Sequence, residues 1–187
     1  MSYNNPAAVV LVLASGRGER FAASGGAGHK LRALLHGQSV LEHTLAAVRA
    51  SGLAWHVEDL GHPGMGDSIA AAVRATATAS GWLVLPGDLP LIQPETLRTV
   101  ADALQHCAVA APVHHGARGH PVGFAAQCRQ DLLSLAGEQG AAGVLHKHAQ
   151  QGRVQWVEVR DEGTVTDVDT VQDLEHAAQR FAARRSR

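Results

Sequence analysis

The hydrophobic residues of this chain fall into two patterns, continuous apolar runs and longer stretches with helical spacing. Continuous runs rich in valine, such as Ala7 to Ala14, are typical of strands that are buried on both faces of a sheet. The sequence predicts five strands, at residues 7–14, 81–88, 107–115, 153–160 and 164–169. Because predicted helices separate most of these strands, the pattern predicts an α/β fold with a mainly parallel sheet.

The stretches with helical spacing carry start and stop signals. At residues 39–52, Ser39 and Glu42 form a capping box and Gly52 is a typical stop. Pro94 suits the first turn of another helix. The sequence predicts helices at 39–52, 68–79 (capped by Asp67 or Ser68), 94–106, 129–136, 141–150 and 170–184 (capped by Thr170 with Asp173).

Composition narrows the class of protein. A chain of 187 residues suits one domain, here taken as residues 1–187. The formal net charge of -1 provides no bulk positive field, so nucleic acid is not an expected partner. The two cysteines lack metal-ligand spacing, and the apolar run near the N-terminus is too short to span a membrane. These features predict a cytoplasmic protein without a membrane partner.

A glycine loop, residues 14–18, follows the first predicted strand directly. In open α/β sheets, ligands bind beyond the carboxyl ends of the strands. Backbone amides of such a loop can bind an anion, and Arg17, Arg20 and Lys30 can supply positive charge to a polyphosphate. Neither a phosphate-binding Walker A loop nor a dinucleotide fingerprint fits, because Leu31 follows the lysine and Phe21 takes the third glycine position.

Carboxylates are the second chemical signal. Asp88 follows a buried strand directly, and Asp167 and Asp169 alternate along a predicted strand, which would place both side chains on one face. Adjacent carboxylates repel each other unless a cation offsets their charge. Together with the glycine loop, these residues predict a site for phosphates and Mg²⁺. The expected ligands are Asp88 and Asp167, with Asp169 as the alternative to Asp167.

Five motifs, in order along the chain, resemble those of the MobA-like nucleotidyltransferases. They are LASGRGERF with Lys30, GMGDSIAAAV, PGDLPLI, RGHPVGF and DVDTVQDL. The most similar branch is that of the cytidylyltransferases of molybdenum cofactor biosynthesis. The resemblance implies a Rossmann-like three-layer fold and Mg²⁺-dependent transfer of a nucleoside monophosphate from an NTP to a phosphorylated acceptor such as molybdopterin, with release of pyrophosphate. It also implies a molybdoenzyme or a chaperone as a possible partner.

The same resemblance implies roles for individual residues. Arg20, Lys30 and Asp88 would be catalytic, and Gly119 and His120 would contact the acceptor, although His120 could equally be a packed, hydrogen-bonded residue. Ser15 favours CTP over GTP, because the guanylyl-transferring branch has a second glycine there. The implied nucleotide-binding residues are Leu13, Ala14, Ser15, Gly16, Arg17, Gly18, Gly64, Gly66 and Ser68.

Three departures from the family pattern change the expectations. The segment 21–29, here called the lid segment, is longer than usual, and we expect it to be mobile and to carry Lys30 onto the phosphates. Ala142 occupies a position where the family has arginine. One short strand at most, near Trp55 to Leu60, fits between the first two predicted helices, so the sheet should lack one strand-helix unit. A nucleotide-binding protein without catalysis and a sugar-phosphate nucleotidyltransferase remain as alternatives.

Overall fold

The structure is a computed structural model that describes residues 8–185, so Ala7 of the first predicted strand lies outside it. The strands are β1 (Val9–Leu13), β2 (Leu34–Leu35), β3 (Gln38–Ser39), β4 (Ala54–Glu58), β5 (Gly81–Pro86), β6 (Val109–His114), β7 (Ala117–Arg118), β8 (Val122–Ala125) and β9 (Val154–Glu158). The helices are α1 (Glu19–Ala23), α2 (Val40–Ser51), α3 (Met65–Ala75), α4 (Pro94–Ala103), α5 (Arg129–Leu133), α6 (Ala142–Gln150) and α7 (Val171–Arg185). Single 3₁₀ turns are formed by Lys30–Arg32, Ala126–Cys128 and Glu162–Thr164. None of the helices described is both long and apolar enough to cross a membrane.

Seven of the described strands form one mainly parallel sheet, as the sequence predicts. Its order is β4-β1-β5-β8-β6, after which β6 pairs with both β7 and β9. The pairs β1 with β4, β1 with β5, and β6 with β9 are parallel. The strands β7 and β8 run antiparallel to their neighbours. Within residues 52–64 the chain forms a single strand, β4, and this strand is an edge of the sheet.

Helices cover both faces of the sheet and give the molecule three layers. Side chains alternate along β1, so that Val10 and Val12 pack against α2 and α4 while Leu11 packs against α3. The buried strand β5 alternates in the same way, and its Trp82 is fully buried with Phe124 on the second face. The continuous apolar runs of β1 and β5 are therefore explained, since both faces of these two strands lie in the core.

The helix caps are largely those that the sequence predicts. The Ser39 hydroxyl accepts a hydrogen bond from the Glu42 amide at 3.2 Å, and Gly52 ends α2 with a φ of 73°. Thr170 and Asp173 exchange the expected capping hydrogen bonds at the start of α7. The predicted start of α3 was wrong, because this helix begins at Met65. Asp67 and Ser68, which were predicted as the cap, lie inside its first turn.

Two predictions about strands were also wrong. The strand β8 was not predicted; it has four residues, follows Pro121 and lies between β5 and β6. Residues 164–169 do not form a strand, so Asp167 and Asp169 are not related by strand alternation. Just before them, the Asp161 carboxylate accepts from the Gly163 amide and holds a 3₁₀ turn that includes Thr164, the first residue of the predicted strand.

We expect Gly163→Ala to lower the free energy of unfolding by about 1–3 kcal/mol, the usual cost of overpacking a tight site. A Cβ at this position would lie only 2.1 Å from the backbone oxygen of Leu91. The matched control is Gly143→Ala in α6, where a Cβ meets nothing within 4 Å. Urea denaturation of both variants tests the packing; equal stability of the two would contradict it.

Candidate active site

A cleft of about 540 Å³ lies at the carboxyl ends of β1 and β5. It is lined by Leu13, Ser15, Gly16, Arg17, Gly18, Glu19, Arg20, Lys30, Leu31, His62, Pro63, Gly64, Met65, Ser68, Pro86, Gly87, Asp88, Glu138 and Asp169. A larger cavity, of about 1040 Å³, lies at the opposite end of the sheet. The first cleft is the candidate site, because it contains most of the residues that the sequence singled out.

The glycine loop leaves β1 and forms one wall of the cleft. Gly18 adopts a φ of 68° and directly precedes α1, a conformation that favours glycine. The Ser15 hydroxyl lies 2.9 Å from that of Ser68, which ties the loop to the first turn of α3. The Ala14 amide donates to the Glu58 carbonyl at 2.9 Å and so is not free to bind an anion, while a nucleotide contact through other atoms of Ala14 stays a prediction.

The start of α3 forms the wall beside β4. Gly64 lines the cleft, and it lies so close to Gly137 that a Cβ would come within 2.1 Å of the Gly137 backbone. Gly66 is not one of the lining residues, because its amide donates to the Gly137 carbonyl and it packs against residues 136–139. The same loop brings Glu138 into the cleft, a contact that the sequence did not predict.

Four charged side chains, Arg20, Lys30, Asp88 and Asp169, form a charge cluster at the β5 end of the cleft. The Lys30 ammonium nitrogen lies 2.5 Å from Asp88 Oδ2 and 2.6 Å from Asp169 Oδ1. Arg20 Nη1 lies 2.7 Å from Asp169 Oδ2. The cluster is thus electrically balanced, and its Lys30, Asp88 and Asp169 side chains are 13%, 13% and 15% exposed.

Lys30 remains a cation in this environment. Burial lowers the pKa of Lys30, but the charge of Asp88 and the hydrogen bonds to Asp169 and Asp88 outweigh burial, so that its pKa is raised above 10.5. A cation between two carboxylates offsets the repulsion that would otherwise separate them. The position of Lys30 is therefore fixed by charge as well as by the backbone.

Asp167, the residue preferred from the sequence as second metal ligand, is exposed and does not line the cleft; the alternative residue, Asp169, does. The pKa of Asp167 is raised, first by loss of hydration and then by the negative charges of Asp169 and Asp88. Asp167 thus belongs to the electrostatic surroundings of the cluster. The spacing of two residues did not reveal this difference, because the segment is not a strand.

The carboxylates fit a bound Mg²⁺ only in part. Asp88 Oδ1 is buried and has no hydrogen-bond partner, as expected of an oxygen that accepts from a ligand. In the described part of the chain, no three His, Cys, Asp or Glu side chains are arranged to hold a metal by themselves. Mg²⁺ in proteins is usually coordinated by one or two carboxylates, and water and substrate phosphates complete its coordination shell. A pair of carboxylates is therefore enough for a Mg²⁺ site that is completed by the substrate.

Gly119 and His120 lie behind the cluster and do not line the cleft. Gly119 packs against Thr164, where a Cβ would lie 2.6 Å from the Thr164 oxygen, and the His120 amide donates to that same oxygen at 2.9 Å. Burial lowers the pKa of His120, and the charge of Asp88 and a hydrogen bond with the backbone of Val84 oppose this only in part. The ring nitrogen Nδ1 of His120 is buried without a partner.

The lid segment is anchored at several points in this structure. Phe21 is 2% exposed and packs in a cluster with Leu31, Leu91 and Val168. The Ser24 hydroxyl accepts from the Val171 amide at 3.0 Å, at the start of α7. The lid segment is therefore packed against the rest of the protein in this structure. Its movement on ligand binding stays a prediction.

Comparison with known structures shows the class of fold. A nucleotidyl transferase from Methanothermobacter thermautotrophicus (Mth528) has a TM-score of 0.79 at 23% identity, with 95% of this chain and 98% of that chain covered. Rv0371C from Mycobacterium tuberculosis H37Rv in complex with manganese has a TM-score of 0.72 at 22% identity, covering 94% and 100%. The molybdopterin-guanine dinucleotide biosynthesis protein A from Archaeoglobus fulgidus has a TM-score of 0.61 at 18% identity, covering 94% and 99%. The chain thus has the Rossmann-like nucleotidyltransferase fold.

Sequence comparison adds the family. The family model of the MobA-like NTP transferase domain matches residues 47–153. This is more than half of the chain, and the protein belongs to the MobA-like NTP transferase family, whose members use an NTP as substrate. No curated protein sequence matches the chain significantly.

Because the pKa of His120 is lowered from 6.5, the unfolded chain binds the imidazole proton more readily than the folded protein does. The free energy of unfolding should therefore fall as the pH drops from 6.5 through the pKa of the folded state. His120→Gln removes this contribution, so the stability of wild type relative to the variant should decrease between about pH 7 and about pH 5. Urea denaturation of both proteins at each pH tests this; a difference that does not change with pH would contradict it.

Proposed function

We propose that this protein transfers a nucleoside monophosphate from an NTP to a phosphorylated acceptor and releases pyrophosphate. The observation that carries the proposal is the charge cluster, which lies beside the glycine loop in one cleft. CTP is the favoured donor, with GTP as the alternative, and molybdopterin is the proposed acceptor. The likeness to the Archaeoglobus fulgidus protein, whose name includes molybdopterin, supports this class of acceptor.

The proposed reaction is one displacement at phosphorus. An oxygen of the acceptor phosphate forms a bond to the α-phosphorus of the NTP, and the bond from that phosphorus to the bridging oxygen of the β-phosphate breaks. Pyrophosphate leaves with the electron pair of the broken bond. The acceptor phosphate is already ionised at neutral pH, so no general base is needed, and the protein has to align the groups and offset their negative charge.

The residues of the cleft could both align the phosphate groups and offset their negative charge. Amides of the glycine loop, apart from that of Ala14, are available to bind phosphate oxygens. Arg20 and Lys30 are cations at the edge and the floor of the cleft, and they would stabilise charge on the α-phosphate and the leaving pyrophosphate. Lys30 would then exchange part of its contact with the carboxylates for contact with phosphate.

Mg²⁺ would be held by Asp88 and Asp169, with phosphate oxygens and water as the remaining ligands. When bound, the ion would neutralise charge on the phosphates and orient them. Support comes from the unpaired, buried Oδ1 of Asp88 and from the manganese complex of Rv0371C. Asp167 lies near these carboxylates, and their negative charges add to the effect of burial in raising its pKa.

We expect Asp88→Asn to reduce turnover by about a hundredfold or more, the effect of removing one charged contact that stabilises a transition state. The assay measures Mg²⁺-dependent pyrophosphate release from CTP or GTP with molybdopterin as acceptor. Asp102→Asn is the matched control, because Asp102 is exposed at the other cavity. Near-normal Mg²⁺-dependent turnover of Asp88→Asn would overturn the metal assignment, and wild type without NTP-dependent pyrophosphate release would overturn the proposed function.

We expect Lys30→Ala to lower turnover more than it weakens NTP binding, because the ammonium contact gains strength as charge develops on the phosphates. The variant also leaves Asp88 and Asp169 without their shared cation, so Mg²⁺ alone should raise its melting temperature more than that of wild type. Kinetics, nucleotide titration and thermal unfolding with and without Mg²⁺ test both points. Wild-type kinetics together with an unchanged response to Mg²⁺ would show Lys30 to be a structural cation only.

A further inference from the structure

At the end of the cleft opposite the charge cluster, a buried carboxylate holds two histidines. The Glu58 side chain is 5% exposed and ends the edge strand β4. Its Oε1 lies 3.1 Å from His62 Nε2, and its Oε2 lies 3.4 Å from His56 Nε2. The amide of Leu60 also donates to Oε1 at 3.3 Å, so Glu58 is fixed by three donors.

This contact determines which hydrogen bonds His62 has left to offer. A carboxylate only accepts hydrogen bonds, so the Nε2 atom of His62 carries the proton. In the neutral ring, the other nitrogen, Nδ1, then has a free lone pair and is an acceptor. Within residues 8–185, His62 Nδ1 forms no hydrogen bond, and it is not one of the buried unpaired atoms, so it is reachable from solvent.

The place of His62 fits contact with a nucleobase. Its side chain lines the cleft together with Gly64 and Ser68. The strand β1 lies between β4 and β5, so the end of β4 is two strand spacings, about 10 Å, from the end of β5 that carries Asp88. A nucleotide that lies along the cleft with its phosphates at the charge cluster would have its base at the His62 end.

We propose that His62, held in one tautomer by Glu58, is a specificity-determining residue that accepts a hydrogen bond from an exocyclic amino group of the base. The amino group in question is at C4 of cytosine and at C6 of adenine, where uracil and guanine carry a carbonyl oxygen; the amino group of guanine is at C2, on a different edge of the base. That oxygen would face the lone pair of Nδ1 and be disfavoured. The inference rests on the proposed function and assigns to its donor site a preference for bases with an amino group at C4 of a pyrimidine or C6 of a purine.

The test is competition binding of CTP, UTP, ATP and GTP to the full chain in the presence of Mg²⁺. We expect wild type to bind CTP about three- to tenfold more tightly than UTP, the effect of one net hydrogen bond. His62→Ala should bring this ratio close to one while both nucleotides still bind through their phosphates. Glu58→Gln should also reduce the ratio, because an amide can donate as well as accept and no longer fixes the tautomer.

His56→Ala is the matched control. It removes the second histidine of Glu58 but leaves the contact with His62, and His56 does not line the cleft. The ratio of CTP to UTP affinity should therefore stay at the wild-type value.

The outcomes separate the two proposals. Wild type that binds UTP or GTP more tightly than CTP, or a ratio unchanged in His62→Ala, would overturn the role of His62 and leave the proposed function standing. A protein that binds none of the four nucleotides with Mg²⁺ would overturn the proposed function and this inference together. Loss of the preference in His62→Ala, with the preference retained in His56→Ala, would support the assignment.

Discussion

The contact of Lys30 with two carboxylates is the interaction on which the cleft depends. Without a cation between them, Asp88 and Asp169 would repel each other. Without these carboxylates, the largely buried ammonium group of Lys30 would lose its hydration and gain no ion pair to compensate. Lys30 follows the lid segment, Asp88 follows β5, and Asp169 precedes α7. One ion cluster thus joins three segments that are distant along the chain.

Packing beside the cluster reinforces this junction. The Val168 amide donates to the Asp88 carbonyl at 3.0 Å, and Val168 itself is fully buried against Phe21 and Leu31. The first turn of α7 is tied to the lid segment, because the Val171 amide donates to the Ser24 hydroxyl. Phe21 and Ser24 of the lid segment are thus the residues through which it contacts the neighbourhood of the ion cluster and the start of α7.

Local signals in the sequence predicted most of the fold. Apolar runs identified β1 and β5, and the capping residues Ser39 and Thr170 identified the starts of two helices, because these effects act between residues close in the chain. The glycine loop and the charged residues Arg20, Lys30 and Asp88 were likewise predicted, and the structure brings them into one cleft.

What the sequence missed depends on contacts between distant residues. Asp169 lines the cleft and Asp167 does not, and the turn that precedes both residues, at Gly163, packs against Leu91 seventy-two residues earlier in the chain. Gly66 was assigned to the cleft, but the loop around Gly137 covers it. His62 belongs to none of the sequence motifs. Its position in the cleft depends on its contact with Glu58 at the end of β4, which only the structure shows.

The two ends of the cleft rely on different physical effects, and this division suits the proposed reaction. At the charge cluster, Arg20 and Lys30, together with a Mg²⁺ held by the carboxylates, would attract any triphosphate, since Coulomb attraction in a partly buried site does not depend on the base. At the β4 end, His62 offers one neutral hydrogen bond, which adds little affinity but depends on the chemistry of the base. Because Glu58 also supports the glycine loop through its carbonyl bond to Ala14, the selective end and the phosphate end share one backbone junction. Selection of the base can thus remain weak, because the phosphates provide the affinity and the base contact only has to distinguish one nucleotide from another.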